Sequence, residues 1–372
     1  MRFVNYGVIY IVLTVTAFPQ QIRQQNASAA DAEISPEMFG AIGDGDADDT
    51  SALKEAIGTG KRIVAMPGKT YKTTSALTIS TPNQVLDFGN ARLRPVGNFD
   101  AFNITQSEVT IRQMTVDAAA LTGVVFKNSG AVQQLLFEHV HIANSSADAM
   151  QWRDIYLSWF RDVHVTAHRG PAFHAYSTIA GTPVNSLWLE DCNFSDARQV
   201  TNSVLLEGVA GIWIDHGSFQ NNISGSTDIR IRSNANAGVS GVTIRDSYFE
   251  TAPNHTGNNV YIGDPEVGTT AHHNVFLVGN YFQSSKQNVR IGKYVSNSVA
   301  LVDNTFVFVA GPASNAIAVS GSPDPRVIRG FGSFAPGDNW ATIRLPQLAC
   351  PRGKTAPLII DENGVIQRGT CK

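Results

Sequence analysis

The chain carries 28 Lys and Arg against 31 Asp and Glu over 372 residues, a formal net charge of −3, and only 16% of its residues are charged. This balance excludes a nucleic-acid binder built on phosphate contacts and an extended polyelectrolyte. The length allows one long solenoid or two ordinary domains.

In chain order, residues 1–30 read as an export signal or N-terminal anchor. A weakly basic start precedes the apolar run Gly7–Phe18, and Ala27-Ser28-Ala29 offers a small-residue cleavage site. The apolar run is short for a full membrane span, so the expectation is a secreted protein with no membrane contact beyond this signal. Residues 31–82 read as an N-terminal cap. Asp49 or Thr50 is placed to start a short helix with Ala52, Leu53, Ala56 and Ile57 on its apolar side. The acidic run 44–49 lacks the bidentate Glu of an EF-hand calcium loop.

Residues 83–320 repeat one frame about eight times, with alternating apolar residues, a turn former, and an apolar or aromatic residue three positions later. Val242–Phe249 is its clearest copy. The turn slot holds Gln113, His139, Asp162, Asp191, His216, Asp246, Gly279 and Asp303. The apolar slot holds Val116, Ile142, Val165, Phe194, Phe219, Phe249, Phe282 and Phe306. A further short strand follows each copy, Ser203–Glu207 and Asp228–Arg232 among them. Three strands per repeat without a helical period predict an all-β fold, a right-handed parallel β-helix of eight or more coils with a short N-terminal capping helix. Residues 321–372 are Pro-rich, lose the period, and read as a C-terminal cap or tail. Cys192 lies inside a repeat as a buried thiol, whereas Cys350 and Cys371 are candidates for a disulfide in an oxidising compartment.

The N-terminal block contains Phe39-Gly40-Ala41, Gly43-Asp44-Gly45, Asp48-Asp49-Thr50 before the amphipathic helix, then Pro67-Gly68 and Tyr71. Over about 45 residues it resembles the start of the rhamnogalacturonase/epimerase-like pectate lyase family, within the pectin-lyase-like β-helix superfamily. The resemblance implies an extracellular β-helix that handles polysaccharide. Because the matched motif is a cap, it transfers no catalytic residue.

Alternation in the third strand of each coil decides what faces solvent. With Val204 and Leu206 inward, Glu207 points out. Extended around the stack, this rule gives an outer ribbon of Lys127, Arg153, His174, Tyr176, Glu207, Arg230, Arg232, Tyr261 and Arg290, with Lys293 just beyond. Cations outnumber acids on it, although the whole chain is slightly acidic. Arginines clamp carboxylates and aromatic rings lie against sugar faces, so the expected partner is an acidic polysaccharide or oligosaccharide. The plain alternative is a solvated sheet face.

Three chemistries fit the ribbon. In β-elimination at a uronate, Arg230, Arg232 and Arg290 neutralise the carboxylate while His174, Tyr261 or Lys293 moves the proton. Glycoside hydrolysis needs two carboxyls, Glu207 with Asp228 or Asp264. C5-epimerisation shares the first step of elimination, and Tyr261, Asp264 and Pro265 faintly resemble a motif of mannuronan C5-epimerases, with Glu266 where that motif has His. Elimination is the leading expectation, with His174, Glu207, Arg230, Tyr261 and Asp264 as catalytic candidates and Lys127, Arg153, Tyr176, Arg232, Arg290 and Lys293 as substrate-binding candidates. A non-catalytic polysaccharide-binding or adhesin β-helix is the reading from another class. No spacing demands a metal or a cofactor, Ca²⁺ is the one ion left open, and the protein is expected as a monomer or trimer. His139 and His216 fill turn slots and read as structural.

Overall fold

The structure is a computed structural model. It describes residues 33–263, 272–292 and 299–307, together with the strands Asn315–Val319, Ile328–Arg329, Leu358–Ile360 and Ile366–Arg368. Successive strands pair in parallel with their counterparts one coil away, forming a right-handed parallel β-helix of about ten turns. Each third strand lies over the last: Leu77–Ile79, Phe102–Ile104, Phe126–Asn128, Met150–Arg153, Phe173–Tyr176, Asn202–Glu207 and Thr227–Arg232. The ends of Tyr248–Ile262 and Tyr281–Ile291 and then Asn315–Val319 continue the stack.

The repeated frame works because each coil must turn a corner in one residue. All eight turn-slot residues are left-handed, from φ 50° at Asp246 to 66° at Gly279. Asp, Asn, His and Gly tolerate that region better than other residues. The apolar slot then drops a side chain into the interior. Phe219, Phe249, Phe282 and Phe306 stack face to face, with centroids 4.8, 4.7 and 5.0 Å apart and planes within 14°. This spacing is that of neighbouring strands, about 4.8 Å. A second ladder lies on the outer face of the first-strand sheet, where Trp159, Trp188 and Trp213 stack at 4.7 and 5.0 Å with planes 7° and 6° apart.

The coils begin before residue 83. Ile63 pairs with Leu86, Tyr71 with Leu93 and Leu77 with Phe102. The corner of that early turn uses two left-handed residues, Gly89 and Asn90, in place of one, which puts it out of frame with the later repeats. Helix α1, Thr50–Gly58, covers this end with Leu53, Ala56 and Ile57 buried. Its N-cap residue Asp49 makes no side-chain cap. Its Oδ1 accepts the backbone N–H of Ile42 at 2.7 Å instead. Asp44 is similarly spent on the N–H groups of Asp46 and Ala47, and Asp48 on Thr50 and Thr74. The acidic run therefore ties the cap together through its own hydrogen bonds. Cys192 is buried, and burial pushes its thiol up. Cys350 and Cys371 lie outside the described residues. In the tail, Leu358–Ile360 and Ile366–Arg368 form an antiparallel pair. Among the described residues, no helix is long and apolar enough to cross a membrane.

Phe249 packs between two rings and is wholly buried. Phe249→Ala is expected to cost about 3–5 kcal/mol in denaturant unfolding. Thr243→Ala, on the solvent side of the neighbouring strand, should stay within about 0.5 kcal/mol.

Candidate functional site

The third strands present two outward columns. One runs Lys127, Gln151, His174, Leu205, Arg230, Tyr261, Arg290, each in register with the next. The other runs Arg153, Tyr176, Glu207, Arg232. Val204 and Leu206, on either side of the first column, are fully buried, so the alternation expected from sequence sets the face. Asp264 and Lys293 lie outside the described residues.

His174 is the hub of the first half of the site. Its Nδ1 meets Asp148 Oδ2 at 2.9 Å and its Nε2 meets Glu207 Oε2 at 2.7 Å. Carboxylates only accept, so the imidazole donates from both nitrogens, which requires the imidazolium form. Burial alone would lower the His174 pKa, but the hydrogen bonds and charges of Asp148 and Glu207 outweigh it and hold the pKa at about 8. Glu207 takes the chain one rung further. Arg232 Nε and Nη2 both donate to its Oε1 at 2.6 Å. Burial would raise the Glu207 carboxyl, yet His174 and Arg232 keep it below its ordinary value. Gln151 Nε2 donates to Asp148 Oδ2 at 3.1 Å and fixes the other end. The Tyr176 ring lies 4.8 Å from the His174 ring, and burial raises its phenol.

The second half is an aromatic–cation stack. The Arg230 guanidinium carbon lies 3.3 Å from the Tyr261 ring centroid and that of Arg290 lies 4.5 Å from it, from the rungs on either side. Arg230 and Tyr261 are only 7% and 8% exposed, and the Tyr261 hydroxyl has no hydrogen-bond partner among the described residues. Lys127, at the far end, is ion-paired to Asp100.

Asp228 is not a partner for Glu207. It is fully buried, with Oδ1 and Oδ2 accepting from Asn222 Nδ2 at 2.6 Å and Asn259 Nδ2 at 2.7 Å. Strand alternation fails there because the chain is still turning a corner as the third strand begins. Consecutive pairs such as Ser203 and Val204, or Asp228 and Ile229, are both buried. The acid that does join the ribbon is Asp148, which the sequence reading missed. It sits in the loop before Met150–Arg153, outside any alternating pattern. Its only signal is its place just ahead of the strand that neighbours His174.

Elsewhere, His139 and His216 occupy left-handed corners, as read from sequence. Asp162 binds both His139 and His164 beside an open groove of about 450 Å³ that also contains His141, Asn90 and Gln113. Arg245 belongs to the first-strand sheet and is held by Asp215 through bonds of 2.7 and 2.8 Å. Among the described residues, no group of three or more His, Cys, Asp or Glu is placed to hold a metal ion.

No family model matches the chain. Over 103 residues it is 36% identical to a capsule K30/K69-specific depolymerase of Klebsiella phage K64-1, a match covering 24% of this chain and 13% of that protein. The chain thus spans only a small part of this curated relative. Similar solved structures include the catalytic unit of a GH87 α-1,3-glucanase from Streptomyces thermodiastaticus, at TM-score 0.51 and 14% identity over 82% of this chain and 71% of that one. The A-module of the Azotobacter vinelandii mannuronan C-5 epimerase AlgE6 gives 0.50 and 17% over 82% and 100%. PfbA, a surface adhesin of Streptococcus pneumoniae, gives 0.50 and 13% over 91% and 98%. At these identities the likeness is one of fold alone, the right-handed parallel β-helix.

The raised His174 pKa has a definite stability sign. The folded value of about 8 exceeds the ordinary 6.5, so the stabilisation is complete below about pH 6.5 and is lost as pH rises through 8. Imidazole NMR titration of His174 should give a midpoint near 8. Asp148→Asn should move it down, and an unmoved midpoint would remove Asp148 from the network.

Proposed function

We propose that this chain is a polysaccharide-acting β-helix, a member of the rhamnogalacturonase/epimerase-like group of the superfamily, that binds an acidic glycan along the third-strand face and cleaves it by β-elimination at a uronate. The observation that carries this reading is the Arg230–Tyr261–Arg290 stack, which sets two guanidinium groups and a phenol on three successive rungs. Elimination needs the uronate carboxylate neutralised so that the proton beside it becomes acidic, and a nearby group to move that proton. The arginines supply the first function and the Tyr261 hydroxyl the second. Lys127 and Arg153 extend the cationic track, and Tyr176 offers a ring to a sugar face. His174, charged and engaged at both nitrogens, acts as a tie that holds Glu207 and Asp148 rather than as the base.

Hydrolysis is less well supported. It requires one carboxyl that keeps a proton at the groove. Glu207 is held in its charged form by His174 and Arg232, and Asp228 is enclosed in the interior. The stretch shared with a capsule-specific phage depolymerase supports a capsular or exopolysaccharide substrate, and the N-terminal apolar run supports export. A second reading, binding without cleavage, is favoured by the low exposure of Arg230 and Tyr261.

Incubation with a panel of uronate polysaccharides, with and without calcium, is expected to raise ultraviolet absorbance from unsaturated chain ends. Arg230→Ala should reduce that rate about a hundredfold or more, whereas Arg245→Ala, on another sheet, should leave it within about twofold. Equal losses would sink the assignment of the ribbon. Reducing ends without absorbance would transfer the chemistry to hydrolysis, and retained binding without either would leave a C5-epimerase or a binding protein, which proton exchange at C5 separates.

A further inference from the structure

Beneath the site residues, on the inner side of the same four rungs, runs a second column that the polysaccharide reading does not use. Ser203, Asp228, Asn259 and Asn288 follow one another in register, and all four are fully buried. Their strands are those that carry Glu207, Arg230 with Arg232, Tyr261 and Arg290 on the outside. The interior of a β-helix is normally apolar, and a buried polar group costs stability unless it is hydrogen-bonded. Here the ledger of donors and acceptors does not close with a charged Asp228. Both of its oxygens accept from amides, of Asn222 and Asn259. Ser203 Oγ, Asn259 Oδ1 and both side-chain polar atoms of Asn288 are left without partners among the described residues. Asn222 cannot be turned over, because its Oδ1 accepts the backbone N–H of Ala197 while its Nδ2 serves Phe194 O and Asp228.

Asn259 has no such constraint. With its amide reversed, a protonated Asp228 donates its O–H to Asn259 Oδ1, and Asn259 Nδ2 turns to Asn288 Oδ1. The buried Asn259 carbonyl oxygen, otherwise without a partner among the described residues, is thereby given a donor. A carboxylate offers no proton with which to start this chain. Nor is a counter-charge at hand. The groups facing Asp228 from its own turn and from the rungs on either side are Asn222, Ser203, Asn259 and, one rung on, Asn288, all neutral. No charged side chain among the described residues contributes to its titration.

We propose that Asp228 keeps its proton in the folded protein and serves as the hydrogen-bond donor that ties its rung to the Asn259 rung beneath the candidate site, so that these rungs are locked in acid and loosen as pH rises. This device is independent of what the outer face binds. Burial, partly offset by the two amides, pushes the carboxyl up to about 7, in accord with the geometry. The sign follows from linkage. A folded value near 7 against an ordinary 3.8 means that the folded chain holds a proton the unfolded chain has lost. The stabilisation is complete below about pH 4 and is lost as pH rises through 7, at up to tenfold in the unfolding equilibrium constant per pH unit.

The test is denaturant unfolding of the full chain from pH 4 to 9, for the wild type and for Asp228→Asn. The Asn variant reproduces the neutral pattern, since its amide donates to Asn259 and its oxygen accepts from Asn222. The expected result is that the difference in stability between the two changes by about one proton's slope between pH 4 and 7, with the variant the more stable at pH 8. Carboxyl ¹³C NMR on aspartate-labelled protein provides a readout that does not depend on the variant folding. One resonance should keep its protonated shift above pH 6. Parallel stability profiles, or aspartate resonances that all titrate near pH 4, would overturn the proposal.

Discussion

A coil of this protein cannot exist alone. Each strand leaves a row of backbone donors and acceptors along both edges, and these are satisfied only by the same strand of the next coil about 4.8 Å away. Everything else follows from that spacing. Aromatic rings can stack down the interior because each is carried one strand spacing beyond the last, within the range of ring–ring contact. The corner residue must accept a left-handed backbone in one step, or the next rung falls out of line. Side chains from residues 25–33 positions apart in sequence become immediate neighbours, which is how Asp148, His174, Glu207 and Arg232 form one hydrogen-bonded chain across successive coils.

The same spacing explains why so much was legible in the sequence. The corner residues recur because a left-handed single-residue turn restricts the choice of side chain, so Asp162, Asp191, Asp246 and Asp303 announce themselves. The outer ribbon was legible wherever strict alternation holds, as at Val204, Leu206 and Glu207. Legibility ended where local geometry departs from the repeat. The double corner at Gly89 and Asn90 hid the earliest coils. The bend at the start of each third strand turned Asp228 inward, although parity placed it beside Arg230. Asp148, a loop residue, belongs to no period, and only the fold brings it to His174.

The third-strand sheet carries two kinds of polar order, back to back. Outside, charges are paired and partly wet, so they can exchange partners with a ligand. Inside, at the strand starts, the polar groups are neutral amides, a hydroxyl and one carboxyl, sealed from water. A strand that must hold Arg230 and Tyr261 in register across rungs gains from an inner column of directional bonds, since apolar packing resists separation of the coils but discriminates poorly between neighbouring registers. Cations on one face and hydrogen-bonded amides on the other are thus complementary answers to the problem of fixing side chains on a stack.

The tryptophan ladder on the first-strand sheet has an optical consequence. Trp159, Trp188 and Trp213 hold their indole planes within 7° of parallel at 4.7 and 5.0 Å, close enough for their electronic transitions to couple. Three such chromophores on consecutive turns behave as a small excitonic array. Its near-ultraviolet circular dichroism depends on their mutual rotation, and hence on the twist from one coil to the next. The middle of the solenoid therefore carries an intrinsic gauge of its own winding, one that responds to a slip of a single rung.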